Sequence, residues 1–179
     1  RLLILNSPAN PTGGVTPRHE IEKLVNGLEA HPQVAILSDE IYDVMTYDGE
    51  KHVSLLTFPE IRDRLIVLNG WSKTWAMTGW RMGWSIWPNT ASSNHLYDKV
   101  RKLAVNCWSC VNAPSQFAGI AAIDGPQDEV EAMMKAFDRR RKVVVEGLNK
   151  LPGVSCITPK GAFYAFPNVA QTGWKAKQL

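Results

Sequence analysis

The sequence predicts an α/β fold in which a mostly parallel sheet is flanked by helices. Three apolar runs have the length and the uninterrupted character of strands buried on both faces, and each ends at polar or turn-forming residues. The runs occupy residues 2–5, 34–37 and 65–68. A helical repeat of apolar residues separates the first two runs, and strands joined through a helix pair in parallel.

The first predicted helix follows a turn at residues 7–14 that is rich in proline, asparagine and glycine. Thr16 is expected to cap this helix, and Pro17 suits its first position. Its apolar face is formed by residues spaced three and four apart, namely Ile21, Leu24, Val25 and Leu28. The second apolar run then ends at Asp39, and the third ends just before Lys73.

The middle of the chain predicts one more strand and three helices. Residues 80–86 alternate bulky with small or polar side chains, and Arg81 lies on the small face, where a ligand could approach. Two helices are predicted at residues 91–106 and 115–124. A long amphipathic helix follows, and its apolar stripe consists of Val130, Met134, Phe137, Val144, Leu148 and Leu151.

The last part of the chain is expected to begin a small α+β domain. Residues 154–157 and 163–166 predict two short strands, and the long helix before them is expected to bridge the two domains. The predicted division is a partial large domain at residues 1–145 and the start of a C-terminal small domain at residues 146–179.

Size, charge and cysteine content exclude several classes of protein. The chain has 179 residues, 45% of them hydrophobic, and its net charge of +3 gives no case for binding nucleic acid. No apolar stretch is long enough to cross a membrane. Three cysteines without a disulfide framework, and no opening signal peptide, favour a cytoplasmic location. The four histidines are scattered, so no metal site is expected.

Three polar residues follow directly after predicted strand ends, and this placement predicts one shared site. They are Asn10, Asp39 and Lys73. Ligands of parallel α/β sheets gather at the carboxyl ends of the strands, which meet at the same edge of the sheet.

Lys73 stands in a stretch unusually rich in tryptophan, at residues 71–84. Apolar surroundings favour the uncharged form of an amine, and such an amine can form a Schiff base with a carbonyl. Arg81, eight residues later, offers a planar cation suited to a phosphate. Pyridoxal phosphate is the obvious cofactor that satisfies both groups. The alternative for Lys73 alone is a surface lysine whose stem lies along apolar side chains.

Three ordered motifs resemble those of the class I/II aminotransferases, which are fold type I pyridoxal-phosphate-dependent enzymes. The first is Asn-Ser-Pro-Ala-Asn-Pro-Thr-Gly at residues 6–13, and the second is Ser-Asp-Glu-Ile-Tyr at residues 38–42. The third joins Ser-Lys at residues 72–73 to Met-Thr-Gly-Trp-Arg at residues 77–81. The resemblance continues to Gly-Ala-Phe-Tyr at residues 161–164, a segment that packs near the substrate in relatives.

This resemblance implies roles for residues around the ring of the cofactor. Asp39 is expected to pair with the pyridine nitrogen and keep it protonated, so that the ring can accept electrons. Asn10 and Tyr42 are expected to donate hydrogen bonds to the phenolic oxygen. The alternatives are a turn aspartate, an ordinary Asn-Pro turn and a half-buried aromatic residue.

The same resemblance makes Lys73 the residue that holds the cofactor as a Schiff base and later moves a proton at the substrate. Arg81 is expected to pair with the phosphate, and Ser72 to add a hydroxyl to it. Many relatives have a hydroxyl residue three positions before the lysine, whereas this chain has Gly70, so one phosphate contact is expected to differ.

The expected function is transfer of the α-amino group of an amino acid to a 2-oxo acid, by a homodimer. By the same resemblance the chain is an internal piece, and the arginine that binds the substrate carboxylate, the phosphate loop and a tyrosine of the partner subunit lie outside it. Two alternatives stay open: a lyase or synthase on the same fold, and the aminotransferase-like effector domain of a transcription regulator.

Overall fold

A four-stranded sheet forms the centre of the computed structural model, which describes residues 1–175, 177 and 178. The strands are adjacent in chain order, and the first three are parallel while the fourth is antiparallel to the third. They are β1 (Leu2–Asn6), β2 (Ala35–Asp39), β3 (Leu65–Gly70) and β4 (Gly83–Ile86). The predicted α/β class with a mostly parallel sheet is therefore confirmed.

Four α-helices accompany the sheet in the described part of the chain. They are α1 (Arg18–Glu29), α2 (Ala91–Trp108), α3 (Ala113–Asp124) and α4 (Asp128–Asn149). Their positions match the four predicted helices, with ends that differ by a few residues. No helix among the described residues has both the length and the apolar character that a membrane span requires.

The main core lies between α1 and one face of the sheet. Apolar side chains at every second position of β2 and β3 point to this face, because successive side chains of a strand alternate between faces. The buried members of the cluster are Ile21, Val25, Leu28, Ile36, Leu55, Phe58, Ile61, Leu65 and Val67. This packing fixes the strands whose carboxyl ends carry the candidate site residues.

Strand β1 is not buried on both faces, contrary to the prediction. Leu3 and Leu5 pack against the main core, whereas Leu2 and Ile4 are 54% and 63% exposed. The alternation of side chains sends the second pair to the face of the sheet that α1 does not cover. An uninterrupted apolar run therefore indicated the strand correctly but not its environment.

Thr16 does not cap α1, contrary to the prediction. The N-cap position is Pro17, which has no side-chain oxygen to offer, and the helix begins at Arg18. The backbone N–H of Thr16 donates to the Ser7 hydroxyl at 2.9 Å. Thr16 thus belongs to the preceding turn, one position too early to act as a cap.

The prediction of two short strands near the C-terminus is also wrong. Residues 154–157 and 163–166 contain no strand, and the segment forms only two isolated bridges, Thr46 with Gly161 and Ser155 with Asn168. Ala162 has a left-handed backbone with φ of 55°, which interrupts an extended chain at this point.

Arg141 of α4 anchors this C-terminal segment to the rest of the chain. Its guanidinium donates to both oxygens of Asp48, to Asp138 and to the backbone oxygen of Pro159. It also lies 4.5 Å from the ring centroid of Tyr47, whose hydroxyl donates to the Ala162 oxygen at 2.7 Å. These contacts fix the residues just before Phe163 and Tyr164.

Candidate active site

The carboxyl ends of the parallel strands lie side by side and bring the first two motifs together. Asn6, the last residue of β1, is in register with Asp39, the last residue of β2. The Asn6 side chain donates to the Asp39 backbone oxygen at 3.1 Å and accepts from the Asn10 backbone N–H at 2.7 Å. One side chain thus links the turn that carries Asn10 to the strand end that carries Asp39.

Tyr42 lies in the turn after β2, and its ring is buried. Its hydroxyl is 2.6 Å from the hydroxyl of Tyr164. Burial, the Tyr164 hydroxyl and the charge of Asp39 raise the pKa of Tyr42 well above its usual value, while a polar contact with the Asn10 side chain acts in the opposite direction. Asn10, Asp39 and Tyr42 therefore act on one another and form one polar cluster.

Lys73 reaches the same cluster from the end of β3. The side chain is half-buried, and its Nζ lies 5.8 Å from the ring centroid of Tyr42 and 5.4 Å from that of Phe163. These distances are within the range of a cation–π contact. Lys73 forms no ion pair among the described residues, so no carboxylate holds its amine.

The aromatic neighbours of Lys73 are not the tryptophans that surround it in sequence. Trp71 donates its indole N–H to the Gly119 oxygen at 3.0 Å, and Trp75 donates to Gln127 at 3.0 Å. Trp80 is largely exposed. Trp71 and Trp75 therefore secure the turn against α3 and the start of α4. The rings that face the Lys73 amine, those of Tyr42 and Phe163, come from distant parts of the chain.

Gly70 stands at a position where the structure leaves no room for a side chain. A Cβ atom at this position would lie 2.8 Å from the Met82 oxygen and 2.9 Å from the Gly83 Cα. Gly70 pairs with Gly83 in the antiparallel ladder, so the two backbones approach closely. A hydroxyl side chain here would force β3 and β4 apart.

Arg81 does not lie within a strand, contrary to the prediction. It has a left-handed backbone with φ of 55° and ψ of 49°, between a 3-10 turn at Thr78–Trp80 and β4. Its Nη1 donates to the Thr78 oxygen at 2.8 Å, which closes this turn. The guanidinium is exposed and retains several N–H groups for an anion.

Ser72 is half-buried and directly precedes Lys73. Neither Arg81 nor Ser72 hydrogen-bonds to the other four candidate residues within the described part of the chain. The structure brings Asn10, Asp39, Tyr42 and Lys73 together. The two predicted phosphate-binding residues, Ser72 and Arg81, lie on either side of Lys73 in sequence.

The segment that contains Phe163 and Tyr164 contributes more to the candidate site than its sequence indicated. It was expected mainly to form a strand, but it places one ring beside the Lys73 amine and one hydroxyl beside Tyr42. The sequence feature that indicates this close approach is Gly161. A Cβ at this position would lie 2.6 Å from the Pro8 side chain and 2.9 Å from the Met45 oxygen. Only glycine allows the segment to approach the site turn this closely.

The set of donor groups fits pyridoxal phosphate. An amine that has no salt-bridge partner among the described residues can bind the aldehyde, and a carboxylate at a strand end can pair with a protonated ring nitrogen. A phenol and an amide beside that carboxylate can bind the phenolic oxygen, and an exposed guanidinium can bind the phosphate. This agreement rests on Lys73, Asp39, Tyr42, Asn10 and Arg81.

Known proteins of similar sequence and structure are aminotransferases. The family model "Aminotransferase class I and II" matches residues 1–179. The chain is 40% identical over 172 residues to an aspartate aminotransferase of Geobacillus stearothermophilus, which covers 96% of this chain and 42% of that protein. It therefore spans about two fifths of the length of that relative.

Two solved structures show the same fold. The aspartate aminotransferase from Rhizobium meliloti has a TM-score of 0.88 at 37% identity, over 96% of this chain and 42% of that one. The aromatic aminotransferase from Pyrococcus horikoshii OT3 has a TM-score of 0.90 at 37% identity, over 99% of this chain and 46% of that one. The expected fold type I architecture is confirmed, and the chain belongs to the class I and II aminotransferase family.

Proposed function

We propose that the protein containing this chain is a pyridoxal-phosphate-dependent aminotransferase, which moves the α-amino group of an amino acid to a 2-oxo acid. The observation that carries the proposal is the meeting of Asp39, Tyr42 and Lys73 at the carboxyl edge of the parallel sheet. Membership of the aminotransferase family supports the same reaction.

Each candidate residue has a place in holding the cofactor. Bound pyridoxal phosphate supplies an aldehyde for attachment and a ring that accepts electrons. Asp39 would hold a proton at the ring nitrogen, and Tyr42 and Asn10 would donate to the phenolic oxygen. Arg81 would bind the phosphate, and Ser72 would add a hydroxyl to it.

Lys73 has two tasks, of which the first is to anchor the cofactor through Nζ. The second task of Nζ would be to accept a proton from the substrate α-carbon and to deliver it back to the substrate–cofactor adduct, which is general acid–base catalysis. The rings of Tyr42 and Phe163 lie 5.8 and 5.4 Å from the amine and give it partly apolar surroundings.

The proposed substrates are an amino acid and a 2-oxo acid. The names of similar proteins refer to different amino acids. The solved relatives include aspartate, alanine and aromatic aminotransferases, so membership of the family does not by itself name the amino acid. Phe163 and Tyr164 are proposed to contribute to the choice of substrate, because they lie against Lys73 and Tyr42.

The working protein is proposed to be a cytoplasmic homodimer, with a large domain at residues 1–145 and a small domain that begins at residue 146. Exposed apolar side chains on α2 and α3, such as Leu103, Trp108 and Phe117, support the presence of further protein over these helices. The cysteines of the described part of the chain are free thiols, which suits a reducing compartment.

The proposal is tested with the protein encoded by the complete reading frame that contains this chain, purified with pyridoxal phosphate. Single amino acids are added without any 2-oxo acid while the cofactor absorbance is followed. We expect at least one amino acid to convert the cofactor to its stable amine form and to release one 2-oxo acid per site. Continued turnover with the starting absorbance unchanged would indicate a lyase, and absence of bound cofactor would contradict the enzyme function.

A further inference from the structure

Glu40 directly follows the candidate ring-binding residue Asp39, yet its carboxylate is buried in the protein. The side chain is 6% exposed, whereas charged side chains are seldom buried unless they are paired. Ser38 and Glu40 point to the same side of the chain because they are two positions apart at the end of β2, and Asp39 between them points to the other side.

Both oxygens of the Glu40 carboxylate have hydrogen-bond partners. Oε1 accepts from the Ser38 hydroxyl at 2.9 Å and from the Leu55 backbone N–H at 3.1 Å. Oε2 lies 3.0 Å from Nε2 of His52. The carboxylate thus connects the end of β2 to residues 52–55, where Leu55 is part of the main core.

His52 is fixed in place mainly through this contact. Its side chain is 12% exposed, and its Nδ1 is buried without a hydrogen-bond partner among the described residues. Burial alone would raise the pKa of Glu40, but the hydrogen bonds from His52, Ser54 and Ser38 outweigh it and hold that pKa below its usual value. The carboxylate therefore stays ionised beside the imidazole.

The backbone of Glu40 is held as firmly as its side chain. Its N–H donates to the Leu68 oxygen of β3 at 2.9 Å. A residue fixed at both backbone and carboxylate leaves its neighbours little freedom to rotate, and these neighbours are Asp39 and, two positions later, Tyr42. An apolar core already packs beneath the strand, and a buried pair of hydrogen-bonded polar side chains adds little net stability compared with an apolar pair.

We propose that Glu40 and His52 are positioning residues, which hold Asp39 and Tyr42 in the orientation that cofactor binding requires. The inference rests on the proposed function, because it assigns these residues to the same cofactor site. Neither residue touches the cofactor in this account; both act through the turn at residues 39–42.

The test compares three variants in the protein from the complete reading frame. His52→Leu removes the hydrogen bond to Glu40, and His52→Gln keeps a side-chain donor of similar reach. Val25→Ala is the matched control, since it weakens the same core from α1 without touching the turn. Three quantities are measured: the Kd of pyridoxal phosphate for the apoprotein, by tryptophan fluorescence; kcat and KM for the amino donor; and the unfolding midpoint of the apoprotein.

We expect His52→Leu to raise the Kd of pyridoxal phosphate about tenfold and to lower kcat about tenfold. The KM for the amino donor is expected to change little. His52→Gln is expected to restore both to within about threefold of wild type. Val25→Ala is expected to lower the unfolding midpoint and to leave the Kd unchanged. If His52→Leu does not fold, Ser38→Ala removes one hydrogen bond to Glu40, and a rise in Kd of about threefold is expected.

Equal effects of His52→Leu and Val25→Ala on the Kd would overturn the inference, because they would show a purely structural role. A wild-type Kd in His52→Leu, or in Ser38→Ala where that variant replaces it, would overturn it as well. These results leave the proposed function intact, since wild type still binds the cofactor. Wild-type protein that does not bind pyridoxal phosphate would instead overturn the proposed function and this inference with it.

Discussion

Replacing Lys73 with alanine is expected to lower kcat by about 10⁴-fold or more. The variant loses the only amine that the structure places against Tyr42 and Phe163 within its described residues, and with it both the covalent attachment and the proton carrier. The fold is expected to persist, because Nζ forms no ion pair in the described part of the chain and the turn is secured by Trp71 and Trp75.

The measurement is steady-state transfer from the best amino donor found in the panel, with the circular dichroism spectrum as a check of folding. Lys135→Ala is the matched control, since Lys135 is exposed on α4 and far in sequence from the site. Retention of more than about a tenth of wild-type kcat in Lys73→Ala, with Lys135→Ala unchanged, would show that another group performs the chemistry.

Asp39→Asn is expected to lower kcat by about 10³-fold, the second-largest effect. The amide keeps the size of the side chain and its Oδ1, which can still accept from the Ile41 N–H, as Asp39 does at 3.4 Å. It has no negative charge with which to keep the ring nitrogen of the cofactor protonated, so the ring accepts electrons less well. The expected loss of kcat therefore reflects the missing negative charge of the side chain rather than a change in its shape.

This prediction is checked by kcat and by the Kd of pyridoxal phosphate, with Asp63→Asn as the control. Asp63 is an exposed carboxylate in the 3-10 turn at Pro59–Arg64, and the same change there is expected to leave kcat unaltered. A kcat within about threefold of wild type in Asp39→Asn would remove Asp39 from the proposed role.

The edge of the sheet that carries the candidate site could be predicted because the signals are local. Apolar runs located β1, β2 and β3, and the polar residues just after them had to meet at one edge once the strands were parallel. Asn10, Asp39 and Lys73 were found in this way. The apolar repeat of α1 likewise predicted the helix that covers the main core.

Contacts between distant parts of the chain could not be predicted from these patterns. The hydroxyls of Tyr42 and Tyr164 meet across a separation of 122 residues, and Arg141 binds Pro159 a few residues before Tyr164. The tryptophans next to Lys73 in sequence suggested the wrong aromatic partners, because side chains of one turn point in several directions.

Local backbone geometry explains the other differences. Arg81 and Ala162 adopt left-handed conformations, which are rare outside glycine and which alternating patterns do not reveal. An alternating sequence therefore predicted a strand that includes Arg81, whereas the 3-10 turn before it delays the start of β4 to Gly83.

The proposed function requires that Lys73 holds pyridoxal phosphate at the carboxyl edge of the sheet. This attachment can be tested by reducing the holoprotein with borohydride, digesting it and locating the modified lysine by mass spectrometry. We predict that the pyridoxyl group is found on the peptide that contains Lys73. Attachment to another lysine, or no attachment in protein that contains bound cofactor, would contradict the claim.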